Sequence, residues 1–158
     1  MPDDVCINLA RYRLEKARRA FKSAMENIGA GDFETANNRA YYSVFNSIRA
    51  VLALDSVDFK THSHTIGYFN QHYIKEGIFD SVFSRMIQRI SQSRNKSDYE
   101  DFYVATRQEA ETNIEGSRNF LEAVDQYVSQ RIESEQKHGD YDKLAGINET
   151  DDEEDLKY

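Results

Sequence analysis

The sequence predicts an all-α fold, an antiparallel four-helix up-and-down bundle with an extra short helix. The single proline is Pro2, so nothing later in the chain forces a helix to end. Glycines are few, and most of them stand where an apolar helical stripe stops. Apolar residues recur at helical spacing along most of the chain, and no alternation typical of a strand is long enough to compete.

The first two helices are predicted over residues 5–28 and from residue 33 to about residue 54. The first has apolar residues at helical spacing, namely Ala10, Leu14, Ala17, Phe21, Ala24 and Ile28. Gly29 to Gly31 end it, and Asp32 is suited to cap the second helix. The second helix has a broad apolar stripe, as expected for a helix in a bundle interior. A polar connection over residues 58–63 follows it.

The second half of the chain is predicted to hold a short helix and two longer ones. The short helix covers about residues 64–75 and is stopped by Gly77, after which Asp80 can cap the next helix. The last helix is predicted over about residues 97–137, because Ser97-Asp98-Tyr99-Glu100 has the form of a capping box. Short connections make neighbouring helices antiparallel.

The charge of the chain divides it into a helical bundle, residues 1–137, and an acidic tail, residues 138–158. The net charge is −8, but residues 133–158 alone hold ten acidic residues against three lysines. The bundle is therefore nearly neutral, and the acidic total does not exclude a nucleic-acid partner. The polar, aperiodic tail is predicted to be flexible, either as a solvated segment or as a shield over a basic site.

Composition also narrows the cellular setting and the chemistry. No stretch approaches the roughly 20 apolar residues that a membrane-spanning helix needs. The single cysteine, Cys6, cannot form an internal disulfide, and no Cys/His spacing indicates zinc. We therefore expect a cytoplasmic protein with no membrane contact, metal or cofactor.

One joint between predicted helices concentrates the polar residues of interest, Arg94-Asn95-Lys96-Ser97-Asp98-Tyr99. Arg94 continues the inward face of its helix, four residues after Ile90, and Tyr99 would begin the inward stripe of the last helix. Both side chains are therefore expected to point toward the bundle interior or a cleft beside it. Asp98 between them can pair with Arg94, so a purely structural corner is the alternative to a functional site.

This joint resembles the signature region of HEPN domains, small helical proteins of prokaryotic defence and toxin–antitoxin systems. Further matching stretches are Ala40 to Phe45, Lys60 to Ser63, and Phe69 to Gly77, so the resemblance covers about residues 5–130. It implies a homodimer of helical bundles with the arginine motif at a shared cleft. In many members that cleft cuts RNA without a metal.

The resemblance also implies roles for individual residues. The family often has a histidine separated from the arginine by four to six residues, but this chain has Tyr99, Glu100 and Asp101 at those positions. Arg94 would stabilise the phosphate charge, and Tyr99 would act as an acid or phosphate donor. The predicted binding or supporting residues are Asn95, Asp98, His62, Ser63 and Lys60. A partner nucleotidyltransferase could silence the protein by modifying Tyr99 or Tyr103.

Other candidates and other functions remain open at this stage. His62 and His64 can do acid–base work, although Thr61 or Ser63 could simply cap the short helix there. The first helix carries cations that can contact phosphates or merely face solvent, namely Arg11, Arg13, Lys16, Arg18, Arg19 and Lys22. Besides an endoribonuclease, the chain can be a non-catalytic nucleotide- or RNA-binding module, or a helical partner that docks a nucleotidyltransferase.

Overall fold

The computed structural model describes residues 2–154, and side chains as far as residue 145. This part of the chain contains no β-strand, which confirms the predicted all-α fold. The helices are α1 (Asp4–Gly29), α2 (Phe33–Leu54), α3 (His62–Phe69), α4 (Val82–Tyr99) and α5 (Arg107–Glu154). A π-helical turn, Asn70–Ile74, continues α3. Helix α2 packs against α1, α3, α4 and α5, so it is the central helix of the bundle.

The helix boundaries in the first half follow from local capping. The Asp32 carboxylate accepts a hydrogen bond from the Thr35 amide, as the sequence predicted for the start of α2. Thr61 rather than Ser63 caps α3, since the Thr61 hydroxyl accepts from the His64 amide at 3.3 Å. Gly77 adopts a positive φ of 81°, which is favourable for glycine and turns the chain toward α4.

The core is built from aliphatic and aromatic side chains on α1, α2, α4 and α5 together with the end of α3 and the segment after it. Phe69 and Phe120 are fully buried and meet edge to face, with ring centroids 5.7 Å apart. A polar chain also crosses this interior. Asn113 donates to both Asn37 and Ser93 at 3.0 Å, and Ser93 donates to Glu109 at 2.8 Å. These hydrogen bonds fix α2, α4 and the start of α5 relative to one another.

The predicted capping box at Ser97 is wrong. Helix α4 continues through Ser97 to Tyr99, and α5 begins only at Arg107. The Thr106 hydroxyl accepts from the Glu109 amide at 3.1 Å, so Thr106-Arg107-Gln108-Glu109, which has the same form, starts the last helix. Glu109 is also held by Ser93, a tertiary contact that local sequence does not encode.

The predicted end of the last helix at Lys137 is also wrong, because α5 continues to Glu154. Every described side chain from residue 136 to residue 145 is exposed, so this extension leaves the packed bundle. An ion pair between Glu133 and Lys137 spans one helical turn at its start. Whether residues 138–158 are flexible stays a prediction, and residues 155–158 lie outside the described residues. Of the described helices, none is long and apolar enough to cross a membrane.

Candidate functional site

Arg94 lies on α4 against two consecutive tyrosines of α2. One terminal nitrogen, Nη2, donates to the Tyr42 hydroxyl at 3.3 Å, and the other, Nη1, lies 3.3 Å from Nδ1 of His62. The guanidinium carbon is 4.6 Å from the ring centroid of Tyr41 and 5.4 Å from that of Tyr42. These are cation–π contacts, so two aromatic faces and an imidazole hold the positive charge in place.

His62 reaches this position because it is the first residue of α3, directly after the Thr61 cap. Its ring stacks on Phe45 with centroids 3.9 Å apart, and its Nδ1 is 2.6 Å from the Tyr41 hydroxyl. Phe45 follows Tyr41 by one helical turn, so both side chains share a face of α2. The segments around α2, α3 and α4 therefore meet at one cluster of Tyr41, Tyr42, His62 and Arg94.

The proton of His62 is placed by its partners. A guanidinium can only donate, so the contact with Arg94 requires an unprotonated Nδ1 and puts the hydrogen on Nε2. Burial lowers the pKa of His62, and the positive charges of Arg94 and Arg49 lower it further. His62 is therefore a neutral imidazole near pH 7, and its Nδ1 accepts from the Tyr41 hydroxyl at 2.6 Å while also facing Arg94. Burial raises the pKa of Tyr41, which keeps that phenol protonated.

The outer side of Arg94 lines a cleft of about 330 Å³ between α2 and α4. Asp98 also lines it, and its carboxylate lies 3.7 Å from Nε of Arg94, close enough for an ion pair but too far for a hydrogen bond. Nε is buried and has no hydrogen-bond partner among the described residues. The cleft also contains Arg39 and Glu34, so its charges balance. The Arg94 side chain is 25% exposed and lines the cleft, so a phosphate bound there can meet the guanidinium charge.

The structure separates Tyr99 from Arg94. Tyr99 is the last residue of α4 and is 83% exposed, so the expectation that it points inward is wrong. Because α4 continues unbroken, five residues rotate Tyr99 by about 140° from Arg94 around the helix axis. The inward orientation required a new helix to begin at Ser97, and that helix begins ten residues later, at Arg107.

The other predicted site residues divide into those near the cluster and those apart from it. Asp98 and His62 contact Arg94, whereas Lys60, Ser63 and Asn95 are exposed and form no hydrogen bond or ion pair with it in the described part of the chain. Tyr103 lies in the connection between α4 and α5, and its hydroxyl donates to the Glu109 carboxylate.

Burial and the neighbouring Glu109 raise the pKa of Tyr103, so its hydroxyl stays protonated. The histidines do not gather into a metal site. His72 packs on Tyr68, and His64 lies near Phe59. Among the described residues, no group of His, Cys, Asp and Glu could hold a metal ion.

Residue-by-residue reasoning missed Tyr41, Tyr42 and Arg39 as site residues. The two tyrosines belong to one of the stretches that carry the HEPN resemblance, which was the available signal. Helical spacing classified them as core, and Tyr41 is indeed buried. Helical spacing could not show that the guanidinium of Arg94, on another helix, packs against their rings. Arg39 stacks on Tyr42 with its guanidinium carbon 5.1 Å from the ring centroid.

Comparison with known proteins agrees with the helical architecture. The "UPF0332 protein" of Thermotoga maritima is 22% identical over 120 residues, covering 76% of this chain and 91% of that protein. "Putative toxin MJ0605" of Methanocaldococcus jannaschii is 27% identical over 118 residues, covering 75% of this chain and 82% of that protein. The crystal structure of TT1696 from Thermus thermophilus superposes with a TM-score of 0.65 at 18% identity.

That superposition covers 74% of this chain and 96% of TT1696, and it shows a shared fold. The family model for the HEPN domain matches residues 10–127, which include all of α2, α3 and α4. The matched region therefore contains the complete Arg94 cluster. The chain belongs to the HEPN domain family, as the joint and its matching stretches predicted.

Proposed function

We propose that this chain is the toxin of a prokaryotic two-gene module and that it cuts RNA at the Arg94 cleft without a metal. The observation that carries the proposal is the contact of one guanidinium, which lines the cleft, with one neutral imidazole and one phenol. Similarity to the M. jannaschii protein "Putative toxin MJ0605" supports the toxin role. Membership of the HEPN family supports it as well.

The cluster supplies what cleavage at a ribose requires. The Nδ1 lone pair of His62, released when Arg94 turns its donors to the phosphate and the Tyr41 hydroxyl turns away, takes the proton of the 2′-hydroxyl. That oxygen forms a bond to phosphorus, and the bond from phosphorus to the 5′-oxygen breaks. Tyr42 gives its proton to the leaving oxygen, and His62 then returns a proton to Tyr42. The products are a 2′,3′-cyclic phosphate and a 5′-hydroxyl end, and Arg94 stabilises the negative charge in between.

His62 thus takes the part that the family often assigns to a histidine after the arginine. Tyr99 remains a candidate contact to RNA, and its exposure leaves it accessible to a second subunit that would complete a shared cleft. We propose a homodimer on this basis. Asp98 limits the motion of Arg94 through its ion pair, so we assign it a positioning role.

Silencing by a partner nucleotidyltransferase is the second part of the proposal. Tyr99 is the better acceptor of the transferred nucleotide, since it is 83% exposed while Tyr103 donates its proton to Glu109. Co-expression with the neighbouring gene product, followed by mass spectrometry, should find added nucleotide on Tyr99 and none on Tyr99→Phe. Modification of Tyr103 alone, or of neither tyrosine, would contradict this assignment.

A non-catalytic nucleotide- or RNA-binding module is the second candidate. Two observations favour it: the histidine expected after Arg94 is absent, and the carboxylates of Glu34 and Asp98 face the same cleft. Such a protein would bind RNA or a nucleotide through Arg94 and leave it intact.

Cleavage of single-stranded RNA in the presence of a chelator separates these candidates. Wild type should produce cyclic phosphate ends, and both Arg94→Ala and His62→Gln should lower the rate by about 100-fold or more. Arg85→Ala is the matched control, because Arg85 is an exposed arginine on the same helix outside the cleft. Binding without cleavage by wild type would establish the second candidate. Equal cleavage rates for Arg94→Ala and wild type would rule out the Arg94 cleft as the site of cleavage.

A further inference from the structure

A second cleft, of about 500 Å³, opens between α1 and α2 beside the Arg94 cleft. Arg39 lines both clefts, and Tyr42, which accepts the hydrogen bond from Arg94, also lines the second. The rest of its polar wall consists of Tyr12, Lys16, Arg19 and Ser23 of α1 and Asn46 of α2. We call this surface the α1–α2 groove. It leads directly away from the cluster at which the proposed function places the scissile phosphate.

The groove is positively charged without compensation. Its lining contains Lys16, Arg19 and Arg39 and no carboxylate, and none of these three forms an ion pair within the described residues. Other cations of α1 are already used, since Arg13 pairs with Asp58 and Arg18 pairs with Asp125 at 2.5 Å. The positive charge of α1 is therefore divided: Arg13 and Arg18 are paired, whereas the cations of the groove are open to an anionic ligand within the described residues.

Aromatic rings alternate with these cations. Tyr12 is 57% exposed, and Nζ of Lys16 lies 5.7 Å from its ring centroid. Arg39 lies over Tyr42 in the same manner. Tyr12 and Arg19 are two turns apart on α1, about 10 Å, so one face offers both a ring and a row of cations. Grooves that bind single-stranded nucleic acid combine these two elements, because phosphates follow the charges and unpaired bases stack on the rings.

We propose that the α1–α2 groove binds the single-stranded RNA that flanks the phosphate held by Arg94. Phosphates contact Lys16, Arg19 and Arg39, and a base stacks on Tyr12. This inference rests on the proposed function and names its substrate class, single-stranded rather than duplex RNA. It also explains how a balanced cleft at Arg94 can act on a polyanion, since the adjoining groove supplies the attraction.

The test measures binding apart from cleavage. The probe is a fluorescent 2′-O-methyl oligouridylate of about ten nucleotides, a length typical of such sites, which lacks the nucleophilic hydroxyl. Anisotropy gives Kd over a range of salt for wild type and for Lys16→Gln/Arg19→Gln. The control is Arg11→Gln/Lys22→Gln, which makes the same charge change at exposed positions of α1 outside the groove.

The groove variant should bind about fivefold to tenfold more weakly at low salt, and its slope of log K against log salt should be shallower by about 1.4. The control should match wild type more closely. Tyr12→Leu should weaken binding at least about fivefold with an unchanged salt slope, because it removes a ring and no charge. A duplex of equal length should bind more weakly than the single strand.

Each contrary result has a separate meaning. Equal losses of affinity in the groove variant and its control would show that RNA binding depends on overall charge, and would rule out the groove as the binding surface. Wild-type affinity in Tyr12→Leu, or equal affinity for duplex, would overturn the stacking on which single-strand selection depends. If all groove variants bind and cleave RNA normally while Arg94→Ala loses cleavage, the groove does not bind the substrate. The proposed function would then still stand. No RNA binding by wild type would overturn both.

Discussion

Arg13 and Arg94 are both largely withdrawn from solvent, with side chains 7% and 25% exposed, but they are held in opposite ways. Arg13 donates to the Arg49 carbonyl at 3.1 Å and to the Asp58 carboxylate at 3.2 Å, so its charge is neutralised within the fold. Arg94 instead meets a neutral imidazole and two phenols, and its Nε has no hydrogen-bond partner in the described residues.

This difference shows how to distinguish an arginine that stabilises the fold from one that can bind a ligand. A guanidinium that a carboxylate and a carbonyl satisfy has little left to offer a ligand. A guanidinium that aromatic faces and an unprotonated nitrogen hold in place keeps most of its charge available. Asp98 weakens the contrast without removing it, because its oxygen is 3.7 Å from Nε of Arg94, whereas the Asp58 oxygen is 3.2 Å from Nη2 of Arg13.

The largest expected effect is on stability, and it should fall on Arg13. Arg13→Ala removes hydrogen bonds to Asp58 and to the Arg49 carbonyl and should lower the free energy of unfolding by about 2–3 kcal/mol. Arg94→Ala should cost about 1 kcal/mol or less, because its neutral partners can be hydrated through the cleft. Urea denaturation of both variants and wild type measures this. A larger loss of unfolding free energy in Arg94→Ala than in Arg13→Ala would show that Arg94 is the arginine that stabilises the fold.

The next effect concerns the proton of His62. Burial and the charge of Arg94 lower its pKa in the folded chain, so Arg94→Ala should raise that pKa toward the ordinary value of about 6.5. NMR titration of the four histidines, assigned with His62→Gln, reads the change directly. An unchanged pKa of His62 in Arg94→Ala would show that the two side chains are not coupled.

The same pKa shift has a consequence for stability. The folded chain binds fewer protons at His62 than the unfolded chain does, so stability is retained above about pH 6.5 and falls as pH drops below it. His62→Gln removes this group and should flatten the decline between about pH 7 and pH 5. Denaturation midpoints across that range provide the measurement. An equally steep decline in His62→Gln would assign the acid sensitivity to other groups.

The smallest effect compares the two segments that resemble a capping box. Thr106→Ala should cost about 1 kcal/mol, because the Thr106 hydroxyl caps α5. Ser97→Ala should be nearly neutral, since the Ser97 hydroxyl lies inside α4, is buried and has no partner among the described residues. Thermal unfolding of the two variants is sufficient. The reverse order of stability would restore the helix start at Ser97.

Local signals were sufficient for much of the fold. The apolar stripes and the caps at Asp32 and Thr61 predicted α1, α2 and the short helix, because each signal depends on residues within a turn or two. The prediction of the α4–α5 connection was wrong because the same local signals could not choose between two helix starts. Two segments have the form of a capping box, and the contacts of Glu109 with Ser93 and Tyr103 accompany the one that is used.

The sequence by itself determined the helical class and the division between a nearly neutral region and an acidic end. Those properties follow from composition, spacing and charge. Only the tertiary structure decided which partners Arg94 has, because Tyr42 is 52 residues away and His62 is 32. It likewise turned Tyr99 outward, brought His62 to Arg94, paired Arg13 with Asp58 and Arg18 with Asp125 of α5, and placed Lys16 and Arg19 in an open groove.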